Sequence, residues 1–91
     1  MTSALYEMYQ KEKEQCNTAT LLAMQAGNEM VFLGEDAITA SEALNIECQS
    51  YQIAKGKKVP HLGIPMEEIA KAFCSLIDQG ITIAVAIESK Q

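Results

Sequence analysis

The chain lacks arginine and tryptophan altogether, and its 12 acidic side chains outnumber its 7 lysines, for a formal net charge of -5. Arginine is the side chain whose planar fork binds a phosphate or a guanine at two points. Nonspecific DNA binding draws most of its free energy from cationic side chains that displace counterions from phosphates. The composition therefore argues against tight DNA binding by this chain alone.

Long apolar segments are also absent. The uncharged apolar run 81–87 is far shorter than the roughly 20 residues that span a bilayer. The N-terminus has no basic start followed by an apolar stretch, as a secretory leader would. We expect a soluble cytoplasmic protein that does not contact a membrane and has no cleaved leader.

The three cysteines contain no C-x-x-C pair, because Cys16, Cys48 and Cys74 are separated by 32 and 26 residues. Together with His61 they would formally supply four zinc ligands, but zinc sites use paired ligand spacing. The alternative is that they are small apolar side chains in or near the core. We favour that alternative and expect no metal and no cofactor.

The pattern of apolar and polar residues predicts a single mixed α/β domain over residues 1–91, large enough for one modest core. The first predicted elements are a helix to about residue 15, a hairpin within 18–33 that turns at 26–28, and a short helix over 35–44 that ends at Asn45. The later elements are a strand over 46–53 with a bulge or an early end, a strand at 59–62, a helix from Pro65 to Gly80 and a strand over 81–87. Pro60 should restrict its strand to an edge of the sheet.

Five segments share a recognisable pattern: Leu21-Leu22, Gly27-Asn28, the run from Glu35 to Ile46, the run from Val59 to Pro65, and Asp78-Gln79-Gly80 with the strand that follows it. Together they resemble the first domain of the MutS family. The resemblance extends from about Tyr9 to Glu88. It implies a single mixed sheet of about five strands flanked by three helices.

In that family a phenylalanine directly after the turn stacks on a mispaired base as a wedge, and a glutamate two residues later hydrogen-bonds to the base. The ungapped run up to Ala37 puts Glu29 and Val31 at these two nucleic-acid-binding positions. A carboxylate neither stacks on a base nor attracts phosphates, and valine offers no donor or acceptor. Phe32 would be the wedge only after a three-residue slip, which turns every side chain to the opposite face.

Lys55, Lys57 and Lys58 form the basic cluster of the sequence and would contact a phosphate or an acidic partner. Solvated loop charges are the plainer interpretation of three lysines without aromatic neighbours. His61 has no nucleophile or carboxylate tied to it by a local motif, and adjacent Glu67 and Glu68 suit a helix N-terminus. We therefore predict no enzyme activity.

No phosphate-binding G-x-x-x-x-G-K-[ST] loop occurs, so we expect no nucleotide as a ligand. The favoured hypothesis is a non-catalytic module that binds another protein, or forms a homodimer through an exposed sheet edge. The alternative is weak or partner-dependent DNA binding related to DNA mismatch repair.

Overall fold

The computed structural model describes residues 4–16 and 19–87, and it contains the predicted elements in the predicted order. They are α1 (Ala4–Lys13), β1 (Thr20–Ala26), β2 (Glu29–Leu33), α2 (Glu35–Leu44), β3 (Gln49–Ala54), β4 (Lys57–Pro65), a 3₁₀ turn (Met66–Glu68), α3 (Ile69–Asp78) and β5 (Thr82–Ile87). The predicted strand start at residue 18 lies outside the described residues. The expectation of a mixed α/β fold is confirmed.

The five strands form one mixed sheet in the order β3-β4-β2-β1-β5. Three of its ladders are antiparallel and the β1–β5 ladder is parallel. Parallel strands require a long crossover connection, which the chain between β1 and β5 supplies. Gly27, at φ 63°, makes the tight turn between β1 and β2. A positive φ at the first of two turn residues is typical of a type II′ hairpin.

Helices cover both faces of the sheet. Helices α2 and α3 pack on one face over a core that includes Phe32, Leu62 and Leu76, which we call the α2/α3 face. Helix α1 packs on the opposite face, the α1 face, over Leu22, Met24 and other side chains. Adjacent residues of β1 and β2 are buried alternately in the two cores. The central strands are therefore apolar on both sides, which explains their continuous run of short apolar residues.

The prediction that Pro60 restricts its strand to an edge is wrong. Strand β4 lies between β3 and β2, in the interior of the sheet. The Pro60 carbonyl accepts a hydrogen bond from Gly34 N at 2.9 Å, and the nitrogen of a strand residue points the same way as its carbonyl. The β2–β4 ladder ends at the pair Leu33 and His61, one residue short of Pro60. The Pro60 nitrogen, which carries no hydrogen, therefore faces the turn into α2, and no hydrogen bond of the ladder is lost.

Other predicted boundaries also change. Strand β4 extends from Lys57 to Pro65 rather than over 59–62. Strand β3 begins at Gln49 rather than at residue 46, although the predicted bulge is present as a register shift between Gln52 and Ala54. Helix α1 ends at Lys13 and continues as turns to residue 15. The predicted third helix opens as a 3₁₀ turn before α3 begins at Ile69. Helix ends are set by hydrogen bonds that local periodicity does not encode.

Candidate recognition site at the hairpin end of the sheet

Glu29 is the first residue of β2 and follows the Gly27-Asn28 turn directly. It lies opposite Ala26 on one side and Pro65 on the other, and its side chain is exposed. The turn is fastened to the end of β4, because Met66 N donates a hydrogen bond to Asn28 O at 2.9 Å. We call this end of the sheet the hairpin end.

The Glu29 carboxylate lies over β4 at Gly63, where the neighbouring strand has no side chain. A Cβ built at Gly63 would be 2.8 Å from Glu29 Oε1 and 3.3 Å from His61 Cε1. Beyond His61, Tyr51 of β3 stacks on the imidazole with ring centroids 5.5 Å apart and planes 22° apart. Glu29, His61 and Tyr51 thus form a row across three strands on the α1 face.

Val31 does not reach the surface. It is 2% exposed and packs in the core of the α1 face with Tyr9, Leu22 and Leu33. Phe32, the alternative wedge, is 0% exposed and packs in the core of the α2/α3 face. The ladder pairs Phe32 with Leu62, so the slipped register that would expose it is wrong. Of these three residues, only Glu29 is available for contact with another molecule.

The three clustered lysines are exposed, but they lie at the opposite end of the sheet from Glu29. Lys55 belongs to the β3–β4 turn, and Lys57 and Lys58 begin β4. Glu29 lies opposite Pro65, the last residue of that strand. Eight residue steps along β4 separate Lys57 from Pro65, which corresponds to about 26 Å. The structure therefore does not bring the lysines and the hairpin end into one small site.

Acidic side chains are instead concentrated at the hairpin end. Glu67 and Glu68 lie in the 3₁₀ turn that follows Pro65, and both are exposed, as is Glu29. Glu68 is the N-cap residue of α3, and its side chain makes no capping hydrogen bond there. Glu68 lines a groove with Ile64 and Lys71 on the α2/α3 face, whereas the Glu29 carboxylate lies on the α1 face, so these charges border the hairpin end on both faces of the sheet.

A buried polar cluster at Asp36, the second residue of α2, was not predicted from the sequence. Its carboxylate is 7% exposed and accepts hydrogen bonds from Tyr9 Oη at 2.8 Å and from Leu22 N at 3.1 Å. Lys13 Nζ forms an ion pair with it at 2.8 Å. Burial, with the nearby Asp36 carboxylate, raises the pKa of Tyr9. The cluster joins α1, β1 and α2, which is a structural role.

The prediction that the cysteines lie in or near the core is confirmed for two of the three. Cys16 packs against the core of the α1 face and Cys48 against that of the α2/α3 face, while Cys74 is exposed. Because the sheet separates Cys16 from Cys48, these two do not converge on one metal ion. Within residues 4–16 and 19–87, no three His, Cys, Asp or Glu side chains are grouped to bind a metal.

Among the helices that the structure describes, none is long and apolar enough to cross a membrane. The strand order and the placement of the helices define a small layered α/β domain. The sequence profile of MutS domain I matches residues 3–91, which is nearly the whole chain. The chain belongs to the MutS domain I family, as its sequence motifs indicated.

Curated relatives agree with this assignment. The chain is 37% identical over 84 residues to the DNA mismatch repair protein MutS of Methanothrix thermoacetophila, an alignment that covers 91% of this chain and 10% of that protein. It is 32% identical over 72 residues to DNA mismatch repair protein MutS 1 of Halobacterium salinarum, covering 79% and 8%. The DNA mismatch repair protein MutS of Fusobacterium nucleatum is 28% identical over 81 residues, covering 89% and 9%. The chain thus spans about a tenth of the length of these relatives.

Proposed function

We propose that this MutS domain I is a non-catalytic protein-interaction module that does not recognise mismatches through a Phe-x-Glu pair. The observation that carries the proposal is the exposed Glu29 carboxylate at the first position after the β1–β2 turn. The resemblance to the family puts the stacking phenylalanine at that position. A carboxylate has no ring to replace the lost base stacking, and it repels the phosphates on either side of a mispaired step.

The second position of the pair supports the same proposal. Val31 is packed beneath α1, so a base approaching the hairpin end would not contact it. Replacing Val31 with the family's glutamate would bury a carboxylate among apolar side chains, which is strongly unfavourable. The core of the α1 face in this chain is therefore built around an apolar residue where the family has its hydrogen-bonding glutamate.

The distribution of charge is the third support. Glu29, Glu67 and Glu68 make the hairpin end acidic, while the exposed lysine cluster lies about 26 Å away along β4. A DNA duplex bound on the α1 face of the hairpin end would meet the Glu29 carboxylate before it met Lys57, and on the other face Glu68 lies beside Lys71. An acidic surface of this kind suits a basic protein partner better than a nucleic acid.

The alternative is weak or partner-dependent DNA binding in a process related to mismatch repair. The exposure of Lys55, Lys57 and Lys58 favours it, since all three ammonium groups are free to approach phosphates at the β3–β4 turn. Without arginine, such contacts would be sensitive to salt and indifferent to sequence. They would also be indifferent to a mismatch, because they lie far from the hairpin end.

Fluorescence anisotropy with a matched duplex and a G·T-mismatched duplex at low salt tests the proposal. We expect no binding to either duplex below about 100 μM, the weak end of nonspecific affinity. Mismatch-selective binding in the low micromolar range would contradict the proposal. Equal binding of both duplexes that is lost when the three lysines are replaced by glutamine would establish the alternative.

A further inference from the structure

The two edge strands of the sheet differ in how well they are protected from pairing with another strand. At the β3 edge the register shifts at a bulge between Gln52 and Ala54, and Gln49, Ser50 and Gln52 present exposed polar side chains. Bulges and charged side chains are among the features with which natural sheets discourage edge pairing. The β3 edge is therefore protected.

Strand β5 has no bulge and no charged side chain, and Thr82 is its one polar residue. Its six residues, Thr-Ile-Ala-Val-Ala-Ile, include no charge and no proline, and all six pair with β1 in one unbroken parallel register. Within the described residues β1 is the one strand that pairs with β5, so alternate N–H and C=O groups of β5 point outward. A regular, uncharged strand of this length is a template for a further strand.

The side chains of β5 add an apolar surface to this edge. Ile83 packs beneath α2 and α3, but Val85 and Ile87, which point to the same α2/α3 face, are 57% and 72% exposed. Ile77 of α3 is 60% exposed as well. Solvent-exposed aliphatic side chains beside unpaired backbone groups are unfavourable for an isolated domain. A strand added at this edge would bury the side chains and pair the backbone N–H and C=O groups.

We propose that the β5 edge binds β5 of a second copy of this chain in an antiparallel, two-fold symmetric pair, which makes the domain a weak homodimer. The proposal rests on the proposed function, in which the domain binds proteins, and it names the partner of the β5 edge alone, not that of the acidic hairpin end. Each copy carries a net charge of -5, so most surfaces of two copies repel each other. Strand β5 opposes no charged residues when paired with itself, and it matches Val85 and Ile87 with equally apolar side chains.

The expected affinity is modest, because a six-residue strand pair buries less than the roughly 1,200 Å² of a typical stable interface. Sedimentation velocity from about 10 to about 500 μM therefore covers the relevant range of dissociation constants. We expect the average mass to rise from 9.9 kDa towards twice that value as concentration increases. A mass that stays at 9.9 kDa over the whole range would overturn the proposal.

Two variants, Val85→Lys and Ile87→Lys, locate the interface. A charge on this edge should weaken the dimer at least tenfold, because pairing would desolvate the ammonium group. Ile46→Lys is the matched control: Ile46 is 47% exposed, lies in the loop before β3, and receives the same charge. Equal weakening by Ile46→Lys would overturn the assignment to β5.

Hydrogen exchange gives an independent result that does not depend on any variant. Comparing dilute and concentrated protein, we expect additional protection at the amides of residues 82–87, and protection confined to other elements would overturn the proposal. These outcomes are separate from the DNA titration. A strict monomer that binds no duplex removes the homodimer but leaves the proposed function, whereas mismatch-selective binding removes the function whatever the mass.

Discussion

Tyr9 Oη lies 2.8 Å from Asp36 Oδ2, and this buried hydrogen bond joins the first helix to the start of the second across the sheet. The same hydroxyl is 2.5 Å from Leu22 O, so two acceptors, Leu22 O and the Asp36 carboxylate, lie within hydrogen-bonding distance of its single proton. Lys13 supplies the opposite charge beside Asp36. Lys13 Nζ also donates a hydrogen bond to Thr20 O of β1, so the cluster contributes to holding α1 on the sheet.

Removing the Asp36 carboxylate should destabilise the domain. Asp36→Ala leaves Leu22 N without its acceptor and Lys13 without its partner, and we expect a loss of about 2–4 kcal/mol in the free energy of unfolding. Tyr9→Phe keeps the ring and should cost about 1–2 kcal/mol. Urea unfolding measures both. Glu35→Ala, an exposed neighbour on the same turn, should remain within about 0.5 kcal/mol of the parent, and an equal loss there would contradict the specific role of Asp36.

The raised pKa of Tyr9 predicts a loss of stability at alkaline pH. In the unfolded chain a tyrosine ionises near pH 10, whereas burial and then Asp36 keep the folded Tyr9 protonated above that pH. Its contribution is therefore complete below about pH 10 and falls as pH rises further, because the unfolded state alone releases the proton. The difference in unfolding free energy between the parent and Tyr9→Phe should shrink from pH 9 to about pH 11. A constant difference over that range would exclude the linkage.

Phe32 should behave as a core residue and not as a DNA contact. Phe32→Leu removes part of a fully buried ring and should cost about 1–3 kcal/mol in unfolding free energy, measured in urea. In anisotropy titrations the folded variant, like the parent, should bind neither duplex below about 100 μM. A variant with parental stability and altered duplex affinity would show instead that Phe32 reaches the nucleic acid.

Gly63 should be coupled to Glu29. A methyl group at Gly63 would meet Glu29 Oε1 at 2.8 Å, but that atom is the end of a flexible, exposed side chain. Gly63→Ala should therefore cost less than about 1 kcal/mol as the carboxylate moves aside. In a double-mutant cycle with Glu29→Ala, the cost of Gly63→Ala should fall further, because the crowding atom is gone. Strict additivity of the two changes would show that the contact does not persist in solution.

Pro60 and Asp36 are two residues whose environments could not be predicted from the local sequence, because they depend on tertiary contacts. Local pattern located the hairpin, the α2 terminus at Asn45 and the alternating strand β5, because these depend on neighbours within a few residues. It misplaced Pro60 at an edge, since the position of β4 depends on pairing with β2, more than 20 residues earlier in the chain. It also did not distinguish buried Asp36 from exposed Glu35, because only the packing of α1 makes them different.

The amino-acid sequence by itself determined that this is a layered α/β domain of the MutS domain I family, with Glu29 directly after the hairpin turn. Periodicity, turn residues and family motifs are local properties, and they persist whatever the strands pair with. Tertiary structure alone decided that Val31 is buried, that the lysines lie far from Glu29, and that Val85 and Ile87 emerge beyond the helices. Those outcomes follow from strand order and helix placement, which contacts between distant segments establish.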